Sequence, residues 1–250
     1  MVDPYALVAY CDHFLAAADF DDYSPNGLQV EGERSIRRLV SGVTASAALI
    51  EAASGWGADA ILVHHGWFWK NEAPCLTGIR GRRARRLFKA GASLIAYHLP
   101  LDAHPLVGNN ATLAAYLGWV DAAPVADRHG VLWSGRLAIG CSPEALAAQV
   151  SERLVRPATL IAAGRERIER IAWCTGGGQG YIEQAATLGV DAYVSGEISE
   201  QTTHAARELG IAFIAAGHHA TERYGVQALG EHLAERFGLE HRFIEIDNPA

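Results

Sequence analysis

Apolar residues recur at helical spacing over residues 5–18, at Leu7, Val8, Cys11, Phe14 and Leu15, and predict a first helix. Asp3 stands where an N-cap belongs and Pro4 at the first helical position. A polar, turn-rich segment, 21–27, leads into a short apolar run at 28–30. The pattern then changes period. Apolar runs at 37–43, 61–63, 93–97, 131–139, 158–162, 170–174, 192–194, 211–215 and 242–246 predict strands. Short unbroken runs of this kind suit strands covered on both faces. Between them, 45–53, 82–90, 109–117, 143–154, 199–209 and a long segment ending near 237 carry helical patterns. Ser142 caps one of these and Gly91 stops another. A glycine loop at 175–180 opens a further helix running through 188. Strands alternating with helices predict an α/β fold. The polar stretch 121–130 is the best candidate for a boundary, which divides the chain into residues 1–125 and 126–250.

The two halves resemble each other. Ile36-Arg37-Arg38-Leu39-Val40 parallels Ile168-Glu169-Arg170-Ile171-Ala172, and Gly57-Ala58-Asp59-Ala60-Ile61-Leu62 parallels Gly189-Val190-Asp191-Ala192-Tyr193-Val194. The run from Gly91 to His98 parallels that from Gly210 to His218, with one extra residue. Three matched segments in the same order predict an internal duplication.

Composition narrows the function. A chain of 250 residues, half of them hydrophobic, is long enough for one large domain or two modest lobes. Its mean hydropathy of +0.05 agrees with a sizeable core. A net charge of −7 and a sequence pI near 5.9 disfavour broad attraction to nucleic acid or anionic membrane. The one local basic patch is Arg80, Arg82, Arg83, Arg85, Arg86 and Lys89. The cysteines Cys11, Cys75, Cys141 and Cys174 are scattered, without a Cys-x-x-Cys pair, which suits a reducing cytosol. The acidic start lacks the positive region of a signal peptide, and no apolar run approaches the ~20 residues of a membrane span. The expected location is the cytoplasm.

The chemistry-bearing residues follow the predicted strands. His64 and His65 end the run Ile61-Leu62-Val63, at the sheet edge where open α/β proteins bind ligands. Successive strand residues point to different sides, so the pair suits two metal ions better than one. His98-x-x-x-Asp102 and His218-x-x-x-Glu222 follow two other strands. On a helix starting near Gly217, His218 and Glu222 share one face. Taken singly, each has an ordinary reading: a loop histidine, a loop aspartate, an exposed helix pair. Together His64, His65, Asp102, His218 and Glu222 form an imidazole and carboxylate set without cysteine, as at Zn, Mn, Fe or Ni hydrolytic centres. Five groups exceed the three of a usual single catalytic zinc. They fit two divalent ions about 3.5–4 Å apart with a bridging carboxylate.

These motifs, with Ser195-Gly196-Glu197 and the segment Asn26-Gly27-Leu28-Gln29-Val30-Glu31-Gly32, resemble those of the YbgI-like (Nif-three-like) family, often labelled GTP cyclohydrolase 1 type 2 homologues. The resemblance covers nearly the whole chain. It implies two intertwined, duplicated α/β repeats with mixed sheets, a dinuclear metal site in the cleft between them, and a hexameric ring. It further implies that His64 and His218 hold one metal, His65 and Asp102 the other, and that Glu222 bridges. His98 then either handles a proton or buttresses Asp102. Glu197, which aligns with His65, is a base, a partner to a ligand imidazole, or a helix cap. His219 should point about 100° away from His218 and is left out. The Gly176-Gly177-Gly178 loop lacks a Walker lysine and reads as a tight turn rather than a phosphate cradle. Trp67, Phe68 and Trp69 suit core or subunit packing, or stacking of a base. The expected activity is hydrolysis of a nucleotide-like or phosphoester substrate by His98, Glu197 and the metals. The alternatives are a non-catalytic metal-binding scaffold and a DNA-associated ring, the last opposed by net charge.

Overall fold

The structure, a computed structural model, describes residues 1–126 and 130–250. In chain order the strands are β1 (Gly27–Val30), β2 (Arg38–Thr44), β3 (Ala60–His65), β4 (Ser93–Ala96), β5 (Trp119–Pro124), β6 (Trp133–Cys141), β7 (Thr159–Ile161), β8 (Ile168–Cys174), β9 (Ala192–Ser195), β10 (Ala212–Ala215) and β11 (Glu240–Phe243). Helices separate most of them, as the apolar pattern requires, but β1 and β2, β5 and β6, and β7 and β8 follow each other without one. The chain forms two compact units. The first comprises Met1–Leu101 and Val226–Asp247, the second Asp102–Gly225 and Asn248–Ala250. The expected repeats, 1–125 and 126–250, follow chain order. The units follow contact, because β11 returns to pair with β2.

In the first unit the sheet order is β1-β4-β3-β2-β11. β11, β2, β3 and β4 run parallel, and β1 closes the edge antiparallel to β4. Its core gathers Val40, Ile61, Val63 and Leu94 from the sheet with Leu49 and Ile50 from the helix Ala47–Trp56 and Leu87 from the helix Gly78–Ala90. The basic helix keeps a buried face through Gly81, Ala84 and Leu87, which is why its arginines fall on the other side.

In the second unit the order is β5-β6-β8-β9-β10-β7. β8, β9 and β10 are parallel, and β7 closes their edge antiparallel to β10. The mixed α/β class is thus as expected. Trp119, Trp133 and Trp173 pack in its core with Leu146 and Val150 of the helix Pro143–Leu154.

The two sheets share one pattern of three parallel strands and an antiparallel edge strand. The likeness reaches single atoms. Asp59 Oδ2 accepts from the backbone N–H of Arg37 and Arg38 at 3.0 and 2.9 Å. Asp191 Oδ2 accepts from Glu169 and Arg170 at 3.0 and 2.9 Å. The Asp59 carbonyl accepts from Ser93 N–H, and that of Asp191 from Ala212 N–H, each at 2.9 Å. The matched Gly-x-Asp turns therefore do one job twice: each aspartate ties the start of a strand to its neighbour.

Several elements differ from the sequence reading. The first helix ends at Phe14, because Ala16 is left-handed (φ 50°) and turns the chain into a 3-10 turn at Ala17–Asp19. The stretch 121–130 is not simply a linker. β5 occupies Trp119–Pro124 and pairs antiparallel with β6, and Asp127, Arg128 and His129 lie outside the described residues. The expected long helix from Gly217 is two helices, His218–Thr221 and Arg223–Phe237. Glu222 sits at the break, with φ −110° and ψ 8°.

Candidate metal centre

In the first unit the site grows from the C-terminal end of β3. His64 is fully buried, and His65 is the last strand residue. The His64 Nδ1–H donates to the Tyr97 carbonyl at 2.9 Å. A carbonyl only accepts, so this bond fixes the tautomer and puts the ring's lone pair on Nε2. His65 Nδ1 pairs with the Thr44 hydroxyl at 3.2 Å. Although successive strand residues diverge, the two rings lie 4.6 Å apart, centroid to centroid. His98 joins them. Each of His64, His65 and His98 offers a ring nitrogen, and the three nitrogens lie within 4.8 Å of one another, close enough to answer one ion.

His98 is held by a residue that periodicity does not single out. Its Nδ1–H donates to Asp22 Oδ1 at 2.6 Å, and its backbone N–H donates to Asn26 Oδ1 at 2.8 Å. Asp22 also accepts from Asn26 Nδ2 and the Leu99 N–H, each at 2.9 Å. Burial pushes the Asp22 carboxyl up, but the His98 bond and charge, then Asn26 and Leu99, outweigh it and hold the pKa down at about 2. The expectation that His98 either carries a proton or buttresses Asp102 thus gains a third element: the aspartate that orients it. Trp69 stands edge-on to the His98 ring at 5.0 Å, while Trp67 is buried in the core and donates its indole N–H to Ala45.

In the second unit Asp102, His218 and Glu222 come together. Asp102 lies in the short helix Leu99–Ala103 and is buried, with Oδ1 accepting from Asn109 Nδ2 at 2.9 Å and Thr175 Oγ1 at 3.3 Å. These two donors fix the direction in which the buried carboxylate points. Its oxygen lies within 4.8 Å of a Glu222 oxygen. Glu222 is 3% exposed, and its Oε2 lies 3.1 Å from His218 Nε2. On the far side of the imidazole, His218 Nδ1–H donates to Glu197 Oε1 at 2.7 Å. Burial pulls the His218 pKa down, yet the bonds and charges of Glu222 and then Glu197 carry it up to about 9. Positive charge at Nε2 is what the two carboxylates favour, and a divalent cation would meet that preference.

Glu197 therefore touches a predicted ligand imidazole. It does not cap the following helix, which Ser199 caps through its bond to the Thr202 N–H. The glycine loop is a tight turn with a purpose. Gly176 has φ +62°, and a Cβ there would overlap the Glu222 carboxylate and stand 3.0 Å from His218 Nε2. Its N–H donates to Thr221 Oγ1 at 3.0 Å, which also rules it out as an unoccupied phosphate donor. His219 is buried, and its backbone N–H donates to the Ala250 carbonyl.

Sequence reasoning missed Asp22, Thr44, Asn109 and Thr175. These partners act over separations such as the 76 residues between Asp22 and His98, where no periodic signal exists. Asn26 belongs to a quoted motif, but its task, holding both Asp22 and the His98 backbone, is visible only in three dimensions.

A family model described as Duf34/NIF3 (NGG1p interacting factor 3) matches residues 4–249. A protein of Allochromatium vinosum named GTP cyclohydrolase 1 type 2 homolog is 69% identical over 250 residues, covering 100% of this chain and 98% of that relative. One of the same name from Pseudomonas aeruginosa is 56% identical, covering 98% and 97%. The solved structure titled protein ybgI, unknown function, superposes with a TM-score of 0.95 at 46% identity, covering 100% of both chains. The resemblance read from the motifs is borne out, and so is the fold class. No helix of the described residues is long and apolar enough to cross a membrane.

Proposed function

The chain belongs to the Duf34/NIF3 family, and on that premise we propose that it is a dinuclear metal-dependent hydrolase of a nucleotide-like or phosphoester substrate. In this reading His64, His65, Asp102, His218 and Glu222 would hold two divalent ions, drawn from Zn, Mn, Fe and Ni, with Glu222 as the carboxylate that would be shared. One observation carries it: the Nδ1 atoms of His64 and His218 are committed to a backbone carbonyl and a carboxylate, which directs each Nε2 lone pair toward a cation. The donor chemistry fits. Imidazoles and two carboxylates suit these metals, and Glu222 has His218 beside it and Asp102 close by, as a bridge requires.

Bound there, divalent ions supply Lewis acidity and bring the ionisation of water toward pH ~7. The protein's own residues supply the rest. His98, with Nδ1–H fixed on Asp22, presents Nε2 to take or give a proton. Glu197 is a positioning residue that keeps His218 in one tautomer. Tyr97, Thr44, Asn109 and Thr175 fix the remaining ligands. The scattered free cysteines suit the cytoplasm.

The test combines elemental analysis with a turnover screen of nucleotides and phosphoesters. Expected are about two metal ions per chain and hydrolysis of at least one substrate, with a rate that rises through a single ionisation near neutrality at saturating metal. No turnover in fully metal-loaded protein, with stability lost on chelation, would overturn hydrolysis in favour of a metal-binding scaffold.

A further inference from the structure

Beside Asp22, the partner of His98, the first unit holds a cavity of about 540 Å³, within the ~300–1,000 Å³ range of small-molecule sites. Its lining includes Asp12, Phe20, Asp22, Tyr23, Phe68 and Lys70. Three aromatic rings line it, and Tyr23 is 56% exposed although it has a hydrophobic ring to bury. Phe68 adopts φ 67°, a left-handed conformation that a bulky residue seldom accepts. Strain of that kind gathers at ligand clamps. The Lys70 N–H donates to the Tyr23 carbonyl at 2.6 Å, so the loops carrying the two aromatic residues are pinned together.

The polar groups differ in what they can still bind. Asp22 is spent on His98, Tyr23 N–H, Asn26 and Leu99 N–H, and forms a fixed wall. Asp12 uses Oδ1 for the Tyr97 hydroxyl, at 2.7 Å, which leaves its second oxygen to accept from an amino group. Lys70 is exposed and brings a positive charge to the rim. Aromatic faces, a carboxylate acceptor and a rim cation together describe a planar, amino-bearing base with an anionic substituent.

We infer that this cavity seats the base of an aminopurine nucleoside monophosphate, stacked on Phe20, Tyr23 and Phe68, with its amino group on Asp12 and its phosphate on Lys70. The inference rests on the hydrolase reading for its consequence: a base seated there shares the Asp22 wall with His98, and so lies next to the group expected to move the proton. Occupancy of the cavity itself uses none of the proposed metal ligands.

The experiment is calorimetric titration of the full chain, metal-loaded and after chelation, with GMP, IMP, guanosine and ribose 5-phosphate. GMP should bind in both states. Tyr23→Ala should weaken GMP and guanosine by about 10-fold, the scale of one lost stacking partner. Lys70→Ala should weaken GMP and leave guanosine unchanged. Asp12→Asn should abolish the preference for GMP over IMP. Tyr23 and Lys70 are exposed, and circular dichroism will verify that their variants fold. The inference is overturned if none of the nucleotides binds, if ribose 5-phosphate binds as tightly as GMP, or if GMP affinity ignores Tyr23→Ala and Lys70→Ala. GMP bound as described by a protein that hydrolyses nothing would sink the hydrolase reading alone. Hydrolysis of another phosphoester with no GMP binding would sink the base site alone.

Discussion

Glu222 and His98 separate two ways in which a residue would serve the proposed metal centre. Glu222 lies against His218 Nε2 and near Asp102, whereas His98 is anchored by Asp22. Glu222→Gln removes charge that a bridge must supply and should lower bound metal from about two ions to one or fewer. His98→Gln should retain more metal while losing turnover. Equal metal content by elemental analysis would refute the bridge. Gly176→Ala tests the close approach from the other side. The added methyl group would meet Glu222, and φ +62° disfavours it as well, so both metal content and stability should fall. Cys11, which is not among the proposed ligands, offers a pH test of stability. Burial, aided by the Asp12 charge and partly offset by the Tyr97 hydrogen bond, pushes its thiol up to about 12. The unfolded chain ionises from about pH 8.5 upward while the folded thiol stays neutral. Stability is therefore whole below that point and is lost as pH rises toward 12. Urea midpoints should drop between about pH 8 and about pH 10.5, and Cys11→Ala should flatten that drop.

At the scale of elements, the Asp59 and Asp191 turns bear most directly on the duplication. Each carboxylate accepts two backbone N–H groups at a strand start, and hydrogen bonds to a charged group contribute about 1.5–3 kcal/mol each. Asp59→Ala and Asp191→Ala should each cost about 2–4 kcal/mol by denaturant titration. Similar losses at both positions would mean that the repeats share a device and not merely a pattern. A neutral result at either would mean that the bonds there are replaced by water.

For the molecule as a whole, metal should act as a ligand of the folded state. Saturation at ~100 times Kd adds about 2.7 kcal/mol, so chelation should lower the melting temperature by several degrees and readdition should restore it. The hexameric ring implied by the resemblance is checked by sedimentation, with and without chelator. A mass of six chains that survives chelation would show that the ions do not hold the ring together.

Local chemistry sufficed for much of this. Unbroken apolar runs specify strands covered on both faces, and period-3.6 patterns specify helices that bury one; they located β3, β4, β8 to β10 and the helices Asn109–Leu117 and Pro143–Leu154. The sequence by itself also determined the family and the candidate ligands, since His64 and His65 end a strand and Asp102, His218 and Glu222 follow strands in repeated segments. Tertiary structure alone decided how those ligands are aimed. The Tyr97 carbonyl, Thr44, Asp22, Asn109 and Thr175 act through hydrogen bonds between residues far apart in the chain, and directional bonds of that kind leave no period to read. It also decided the break at Glu222, where a helix that propensity would continue stops, and the return of β11 to β2, because pairing between distant strands depends on the packed sheet rather than on either segment.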